Sequence, residues 1–169
     1  MKIEWRNIGF EENEIIENWL SNLDRQSLCM ANKNWAQTAE DIEDCLKYMR
    51  GGQFKNLMGY LAGKPAVALM FGIEHEKTLN LYNIVVNPAI RGKGVATDTI
   101  LSLTNNDKAL NITQPYNKIV VSALPENSGM QSFLNKNGFS NLGFNGEYVV
   151  FKKSITKERE MWVFKKIAN

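Results

Sequence analysis

The chain has 169 residues, is 44% hydrophobic and carries a net charge of +2. A chain of this length can bury a sizeable core without dividing, so we predict one domain over residues 1–169. The small net charge argues against a nucleic-acid partner, and the longest strongly apolar run, residues 66–73, is too short to span a bilayer.

Cysteine content and the first residues indicate the compartment. Two cysteines in a chain large enough to fold without cross-links favour reduced thiols over a disulfide. The first residues, MKIEWR, lack the apolar stretch of a signal peptide. The sequence therefore predicts a cytoplasmic protein.

The two parts of the chain differ in charge. Residues 1–49 carry 10 Asp and Glu against 5 Lys and Arg, whereas residues 50–169 carry 8 against 15. The basic part suits a ligand that bears phosphates, and the acidic part suits a cationic acceptor such as an amine. The acidic residues fit the outer faces of two helices equally well, so the pattern alone leaves both interpretations open.

Hydrophobic periodicity and turn residues predict the elements of the first part of the chain. In order, we expect a strand, two helices and two strands, at residues 3–10, 12–22, 38–49, 57–61 and 65–74. Thr38 is the predicted N-cap of the second helix, because Asp41 follows it at the spacing of a capping box. Gly63 predicts a tight hairpin turn between the last two strands.

The rest of the chain continues the alternation of strands and helices. We expect a strand, a helix, a strand, a helix and two terminal strands, at residues 79–87, 95–103, 118–124, 128–137, 143–151 and 158–167. Asn127 is a suitable N-cap for the last helix, and Gly138 is a suitable left-handed residue after its end. The predicted order is β-α-α-β-β-β-α-β-α-β-β.

The connection that follows the strand at residues 79–87 carries the strongest functional signal. Gly92 and Gly94 lie directly before a predicted helix, whose first N–H groups and positive dipole end bind anions. Glycine has no Cβ to hold a phosphate away from those amides. Arg91 and Lys93 add positive charge beside them. This stretch therefore predicts a site for a phosphate or pyrophosphate.

Spacing distinguishes three kinds of phosphate-binding loop. A P-loop needs Ser or Thr directly after Gly-Lys, but Gly94 follows Lys93. A dinucleotide-binding loop needs a third glycine at the position of Thr97. The third pattern, R/Q-x-x-G-x-G/A, is met by Arg91, Gly94 and Ala96. That pattern resembles the acetyl-CoA loop of the GNAT N-acetyltransferases.

Two further stretches extend the resemblance over residues 79–139. An apolar strand ending in V-x-P, here residues 86–88, usually precedes the GNAT loop. GNAT proteins also usually show N-x-x-A-x-x-L-Y-x-K-x-G-F after the next strand. The residues that match this motif are Asn127, Phe133, Lys136, Gly138 and Phe139. Met130 replaces the usual small residue, and Leu134 replaces the usual tyrosine.

The resemblance implies a mixed α/β (α+β) fold, in which helices flank a largely antiparallel sheet with two splayed, parallel central strands. It implies an N-acetyltransferase that moves the acetyl group of acetyl-CoA directly to a primary amine, without a metal. The amine belongs to a small molecule, a peptide or a protein, and a homodimer is compatible with the resemblance. The cofactor-binding residues carried over to this chain are Ile84, Val85, Val86, Arg91, Gly92, Lys93, Gly94, Val95, Ala96, Thr97 and Asn127.

Such a reaction needs a base, because an alkylammonium with a pKa near about 10 is not nucleophilic. The candidates are Glu74 and Tyr82, followed by the single histidine, His75, and by Asn83 acting through a water. Glu74 ends an apolar strand, where its carboxylate could face the cleft, whereas His75 lies in a charged turn. The sequence does not distinguish the acceptor amine.

Leu134 bears on whether the protein catalyses acetyl transfer. In the family the tyrosine at this position is thought to protonate the departing thiolate. A thiol with a pKa near about 8.5 leaves tolerably as its anion, so losing that acid should weaken catalysis without abolishing it. Ser132 and Tyr148 are candidate substitutes. The alternative is a non-catalytic acyl-CoA-binding or interaction module with the same fold.

Overall fold

The computed structural model describes residues 2–20, 33–48, 52–74 and 77–155. Within these ranges the strands form one sheet of seven, in the spatial order β1-β2-β3-β4-β5-β7-β6. Their bounds are β1 Glu4–Asn7, β2 Gln53–Leu61, β3 Lys64–Glu74, β4 Thr78–Val86, β5 Lys118–Ala123, β6 Ser140–Phe144 and β7 Val149–Ser154. Neighbouring strands are antiparallel except for β4 and β5, which are parallel. The predicted fold class is confirmed.

Helices cover both faces of the sheet. They are α1 Phe10–Trp19, α2 Trp35–Tyr48, α3 Val95–Thr104 and α4 Ser128–Lys136. On one face, Ile16 of α1 and Trp35 of α2 pack against Met58 and Met70 of the sheet. On the other face, apolar residues of α3 and α4 pack against alternate residues of β4, β5 and β7. Because helices cover both of its faces, β3 is buried throughout residues 66–73.

The first strand is shorter than the sequence pattern predicts, and the prediction for Phe10 was wrong. β1 ends at Asn7 and α1 begins at Phe10, which is exposed. Glu12 is the reason, because its carboxylate accepts a hydrogen bond from the Gly9 N–H at 2.9 Å and so closes the helix start. The apolar residue at position 10 therefore belongs to the helix.

The predicted start of α2, with Thr38 as its N-cap, was also wrong by about one turn, because the helix begins at Trp35. Asn34 and Gln37 form a reciprocal capping box, in which the Asn34 Oδ1 accepts from the Gln37 N–H at 2.8 Å and the Gln37 Oε1 accepts from the Asn34 N–H at 3.0 Å. Thr38 lies inside the helix, where its hydroxyl donates to the Asn34 carbonyl at 2.9 Å. Capping signals occur at both positions, and burial of Trp35 selects the earlier one.

The two predicted hairpins had different outcomes. The β2–β3 turn is confirmed, since Ala62 and Gly63 both have positive φ, as a two-residue type I′ turn requires. The prediction of one strand over residues 143–151 was wrong, because Asn145 and Gly146 turn the chain between β6 and β7. The Asn145 side chain accepts hydrogen bonds from two N–H groups of that turn. The strand predicted at residues 158–167 lies outside the described residues.

The structure also bears on the expectations about membrane crossing and about the ends of α3 and α4. Over the described residues, each helix is too short or too polar to cross a bilayer. α3 begins at Val95 and α4 begins after Asn127, whose side chain accepts a hydrogen bond from the Met130 N–H at 3.0 Å. Gly138 has a φ of 79°, as expected of the left-handed residue after a helix end. The predicted starts of these two helices and the roles of both capping residues are confirmed.

Glu12 makes the stability of α1 depend on pH. Hydrogen bonds from the Gly9 N–H and the Tyr60 hydroxyl lower the pKa of the Glu12 carboxyl. A lowered folded-state pKa stabilises the protein above the unfolded pKa, and that stabilisation is lost as the pH falls through the folded-state value. Glu12→Gln should lower the free energy of unfolding by about 1 kcal/mol at pH 7.

Urea unfolding at pH 7 and pH 3 would check this expectation. The difference between wild type and Glu12→Gln should shrink from pH 7 to pH 3, because the stabilisation by the carboxylate is lost progressively as the pH falls below the unfolded-state pKa towards the lowered folded-state value. The matched control is Glu14→Gln, two residues along the same helix, whose side chain is exposed. Equal losses for both variants, or a loss independent of pH, would contradict the assignment.

Candidate active site

The parallel strands β4 and β5 separate at their carboxyl ends. Their register runs from Thr78 opposite Lys118 to Leu81 opposite Val121, and β4 continues to Val86 paired with β3 but not with β5. The register of β4 with β3 also shifts at this point, so that Tyr82 is an extra residue in β4. Such a bulge bends a strand and increases its twist. The bulge therefore accounts for the gap between the two strands.

The first cavity, which we call the loop cavity, lies where β4 meets the start of α3. It has a volume of about 630 Å³ and extends from the end of β4 to α4. Its lining residues are Ile84, Val85, Val86, Ile90, Arg91, Gly92, Gly94, Val95, Ala96, Thr97, Asn127, Gly129, Met130 and Phe133. All the predicted cofactor-binding residues except Lys93 lie together here.

The glycines of the loop have the conformation and the open space that an anion site needs. Gly92 and Gly94 have φ values of 77° and 85°, in the left-handed region that favours glycine. A Cβ built on either would have no other described atom within 4 Å. The first α-helical hydrogen bond is donated by Asp98 to the Gly94 carbonyl at 2.9 Å. The preceding N–H groups, including those of Val95 and Ala96, have no carbonyl within the helix to bind.

The two basic residues of the loop differ in placement. Arg91 lines the loop cavity, and its Nε donates to the Val86 carbonyl at 3.2 Å, which holds the side chain against the end of β4. Asn87 supports this arrangement by capping the short turn Pro88–Ile90. Lys93 is exposed and outside the lining, so it contributes charge at a distance.

The second cavity, which we call the cleft cavity, lies between the separated strands and α2. It has a volume of about 470 Å³. Its lining residues are Lys33, Thr38, Asp41, Ile42, Asn80, Leu81, Tyr82, Asn83, Ile84, Val120, Val121, Ser122, Ala123, Asn127, Met130 and Tyr148. Ile84, Asn127 and Met130 line both cavities, so the two adjoin at the gap between β4 and β5.

The predicted catalytic residues lie on the same side of the sheet but differ in access. Burial, followed by the nearby Glu74 carboxylate, raises the pKa of Tyr82 to about 12. The phenol stays protonated at neutral pH, so Tyr82 can donate a hydrogen bond but is poorly suited to act as a base. Glu74 lies outside both linings and accepts a hydrogen bond from the Asn80 side chain at 2.6 Å. His75 lies outside the described residues.

The position of the missing tyrosine is in the core. Leu134 is fully buried and lies outside both linings. Of the two candidate substitutes, Ser132 is exposed and outside both linings, whereas Tyr148 is half-buried and lines the cleft cavity. Of these two residues, it is therefore Tyr148, in the β6–β7 turn, that borders the cleft cavity.

Sequence reasoning missed most of the cleft cavity. Asp41 is an exposed residue of α2 that forms an ion pair with Lys33 at the wall of this cavity, and Ser122 is an exposed residue of β5. No local pattern marks these positions, because their place in the site depends on how α2 packs over the sheet. Met130, which lines the loop cavity, could have been identified from the sequence, because it replaces the small residue that is usual at this position of the motif.

Comparison with known proteins supports the fold. No family model and no curated protein matches the sequence. An acetyltransferase from Salmonella typhimurium that modifies the N-terminal serine of the 50S subunit protein L7/L12 shares 17% identity at a TM-score of 0.65, over 91% of this chain and 95% of that one. PaiA N-acetyltransferase from Thermoplasma acidophilum, in complex with coenzyme A, shares 16% identity at a TM-score of 0.61, over 91% of this chain and 99% of that one.

A third similar structure carries the family name. A GNAT-family protein from Desulfovibrio desulfuricans shares 14% identity at a TM-score of 0.59, over 92% of this chain and 100% of that one. The chain therefore has the GNAT fold, as the two sequence motifs predicted. At identities of 14–17% the shared feature is the fold, and the residues that line the two cavities carry the chemistry.

Proposed function

We propose that the protein is an acyl-CoA-dependent N-acyltransferase that moves an acetyl group from acetyl-CoA to a primary amine. The observation that supports this most directly is the junction of the two cavities between β4 and β5. The loop cavity offers an anion site at a helix start, and the cleft cavity offers polar side chains. A long phosphate-bearing cosubstrate and a small acceptor could meet at that junction.

Each part of acetyl-CoA has a matching surface. The N–H groups at the start of α3, with Gly92 and Gly94 beside them, would bind the pyrophosphate, and Arg91 would add charge. The backbone of residues 84–86 has no partner strand on its β5 side among the described residues, so it would bind the pantetheine amides as an added strand does. Asn127 would contact the same arm through its amide nitrogen, because its oxygen caps α4.

The chemistry needs few groups. The amine nitrogen attacks the thioester carbonyl carbon, the C–S bond breaks, and the sulfur leaves as a thiolate with the bonding electron pair. A backbone N–H of β4 would polarise the carbonyl. We propose Glu74 as the base, acting through a water beside Asn80, since Asp41, the carboxylate that lines the cleft, is already paired with Lys33. Tyr82 would remain a hydrogen-bond donor.

A thiol-release assay tests this function. Purified protein would be mixed with acetyl-CoA and, separately, with L-serinamide, L-alaninamide, spermidine and Nα-acetyl-lysine. The first amine reflects the similar Salmonella typhimurium enzyme, which acts on an N-terminal serine. We expect thiol release above the rate of acetyl-CoA hydrolysis with at least one amine. Binding of acetyl-CoA without release from any amine would favour the alternative, a non-catalytic acyl-CoA-binding or interaction module, which the buried Leu134 motivates.

Tyr148 provides a prediction within this proposal. Tyr148→Phe should lower kcat by about tenfold, because the thiolate can leave without a general acid, although more slowly. The dissociation constant of acetyl-CoA should stay within threefold of wild type. Ser132→Ala is the matched control and should leave kcat unchanged, since Ser132 lies outside both linings. A full-rate Tyr148→Phe enzyme would exclude Tyr148 as the substitute acid.

A further inference from the structure

Asn83 carries a buried polar group that no described residue satisfies. It lies at the bulge of β4, is 4% exposed and lines the cleft cavity. Its Nδ2 approaches the Met70 sulfur at 3.9 Å, which is a weak contact. Its Oδ1 is buried and has no hydrogen-bond partner among the described residues.

An unpaired buried oxygen is costly, and native proteins rarely retain one without a reason. A leucine of similar size would fill the same space beside Met70 without that cost. The carbonyl of Asn83 accepts hydrogen bonds and carries no charge, so it matches an N–H donor. The cleft cavity is the space into which such a donor could enter.

We propose that Asn83 Oδ1 binds the amino group of the acceptor and orients its lone pair towards the thioester. This inference rests on the proposed acetyl transfer and adds a residue that selects the acceptor class. A neutral primary amine has two N–H groups, so one can donate to Asn83 while the nitrogen attacks the carbonyl carbon. The proton released from nitrogen passes to the base, and the electron pair of the broken C–S bond leaves on sulfur.

Neighbouring groups support this role. Tyr82 precedes Asn83 at the bulge, and its protonated phenol donates rather than accepts at neutral pH. The Asp41 carboxylate is paired with Lys33. Asn83 is therefore the buried acceptor in the cleft that has no partner among the described side chains. A hydroxyl acceptor has a single O–H to donate, so the site should favour amines over alcohols.

Two substitutions test the inference. Asn83→Leu removes the oxygen at similar volume, and Asn83→Asp keeps an oxygen in the same place. With the fastest amine from the thiol-release panel, Asn83→Leu should raise the KM for the amine by about 10- to 100-fold. Calorimetry should give an acetyl-CoA dissociation constant within threefold of wild type. Asn83→Asp should return the amine KM to within about threefold of the wild-type value.

Thermal unfolding separates this role from a structural one. Asn83→Leu should raise the unfolding midpoint by about 2–4 °C, because it removes the unpaired buried group. A lowered midpoint with an unchanged amine KM would show that Asn83 is structural and would overturn the inference. So would an Asn83→Leu variant that loses acetyl-CoA binding in parallel. If wild type binds acetyl-CoA but releases no thiol with any amine, the proposed acetyl transfer is wrong. That outcome differs from a failure of the Asn83 inference, in which wild type is active and Asn83→Leu has an unchanged amine KM.

Discussion

Replacing Gly94 with glutamate should weaken acetyl-CoA binding by at least about 100-fold, which corresponds to about 2.7 kcal/mol. The φ of Gly94 is 85°, so any side chain there is strained, and its Cβ would point into open space at the loop cavity. A glutamate carboxylate would occupy the anion site at the start of α3 and repel the pyrophosphate. Calorimetric titration with acetyl-CoA measures the loss.

The matched control for this variant is Gly63→Glu. Gly63 has a φ of 75° and is equally open, but it lies in the β2–β3 turn and lines neither cavity. Both substitutions should cost about 1–2 kcal/mol of stability from the strained backbone. Only Gly94→Glu should lose acetyl-CoA binding. Equal acetyl-CoA affinities for the two variants would show that the cofactor does not bind at this loop and would contradict the proposed function.

Replacing Trp35 with alanine should lower the free energy of unfolding by about 3–5 kcal/mol. Trp35 is fully buried at the start of α2, and its Nε1 donates to Asn56 Oδ1 at 2.9 Å. Its backbone N–H donates to the Glu17 carboxylate at 2.6 Å, which links α2 to α1. Alanine would leave a cavity and would remove the donor to the Asn56 side-chain oxygen. The expected loss is a large share of a typical free energy of unfolding of about 5–15 kcal/mol.

Urea unfolding measures this effect, with Tyr48→Ala as control. Tyr48 is at the other end of α2 and is 90% exposed, so its truncation should change stability by less than about 0.5 kcal/mol. Trp35→Ala should also raise the KM for the amine, because α2 carries Thr38 and Asp41 at the cleft cavity. A loss below about 1 kcal/mol would show that α2 is not anchored through Trp35.

Local rules explain which elements could be predicted from the sequence. The start of α3, the Asn127 cap and the left-handed Gly138 each depend on residues within one turn of the chain. The Asn145-Gly146 turn had an equally local signal, but the apolar residues on both sides suggested one continuous strand. Competing caps at Asn34 and Thr38 could be decided only by the burial of Trp35.

The sequence by itself determined the conformation of the glycine loop before α3 and, through the two motifs, indicated the GNAT fold. Both depend on glycines and caps whose conformations are set by their own backbone and immediate neighbours. Tertiary structure alone decided the cleft cavity, because Asp41, Asn83 and Tyr148 come from three distant segments that meet only when α2 and the β6–β7 turn pack beside the gap. Burial, and with it the protonated state of Tyr82, likewise depends on neighbours far away along the chain.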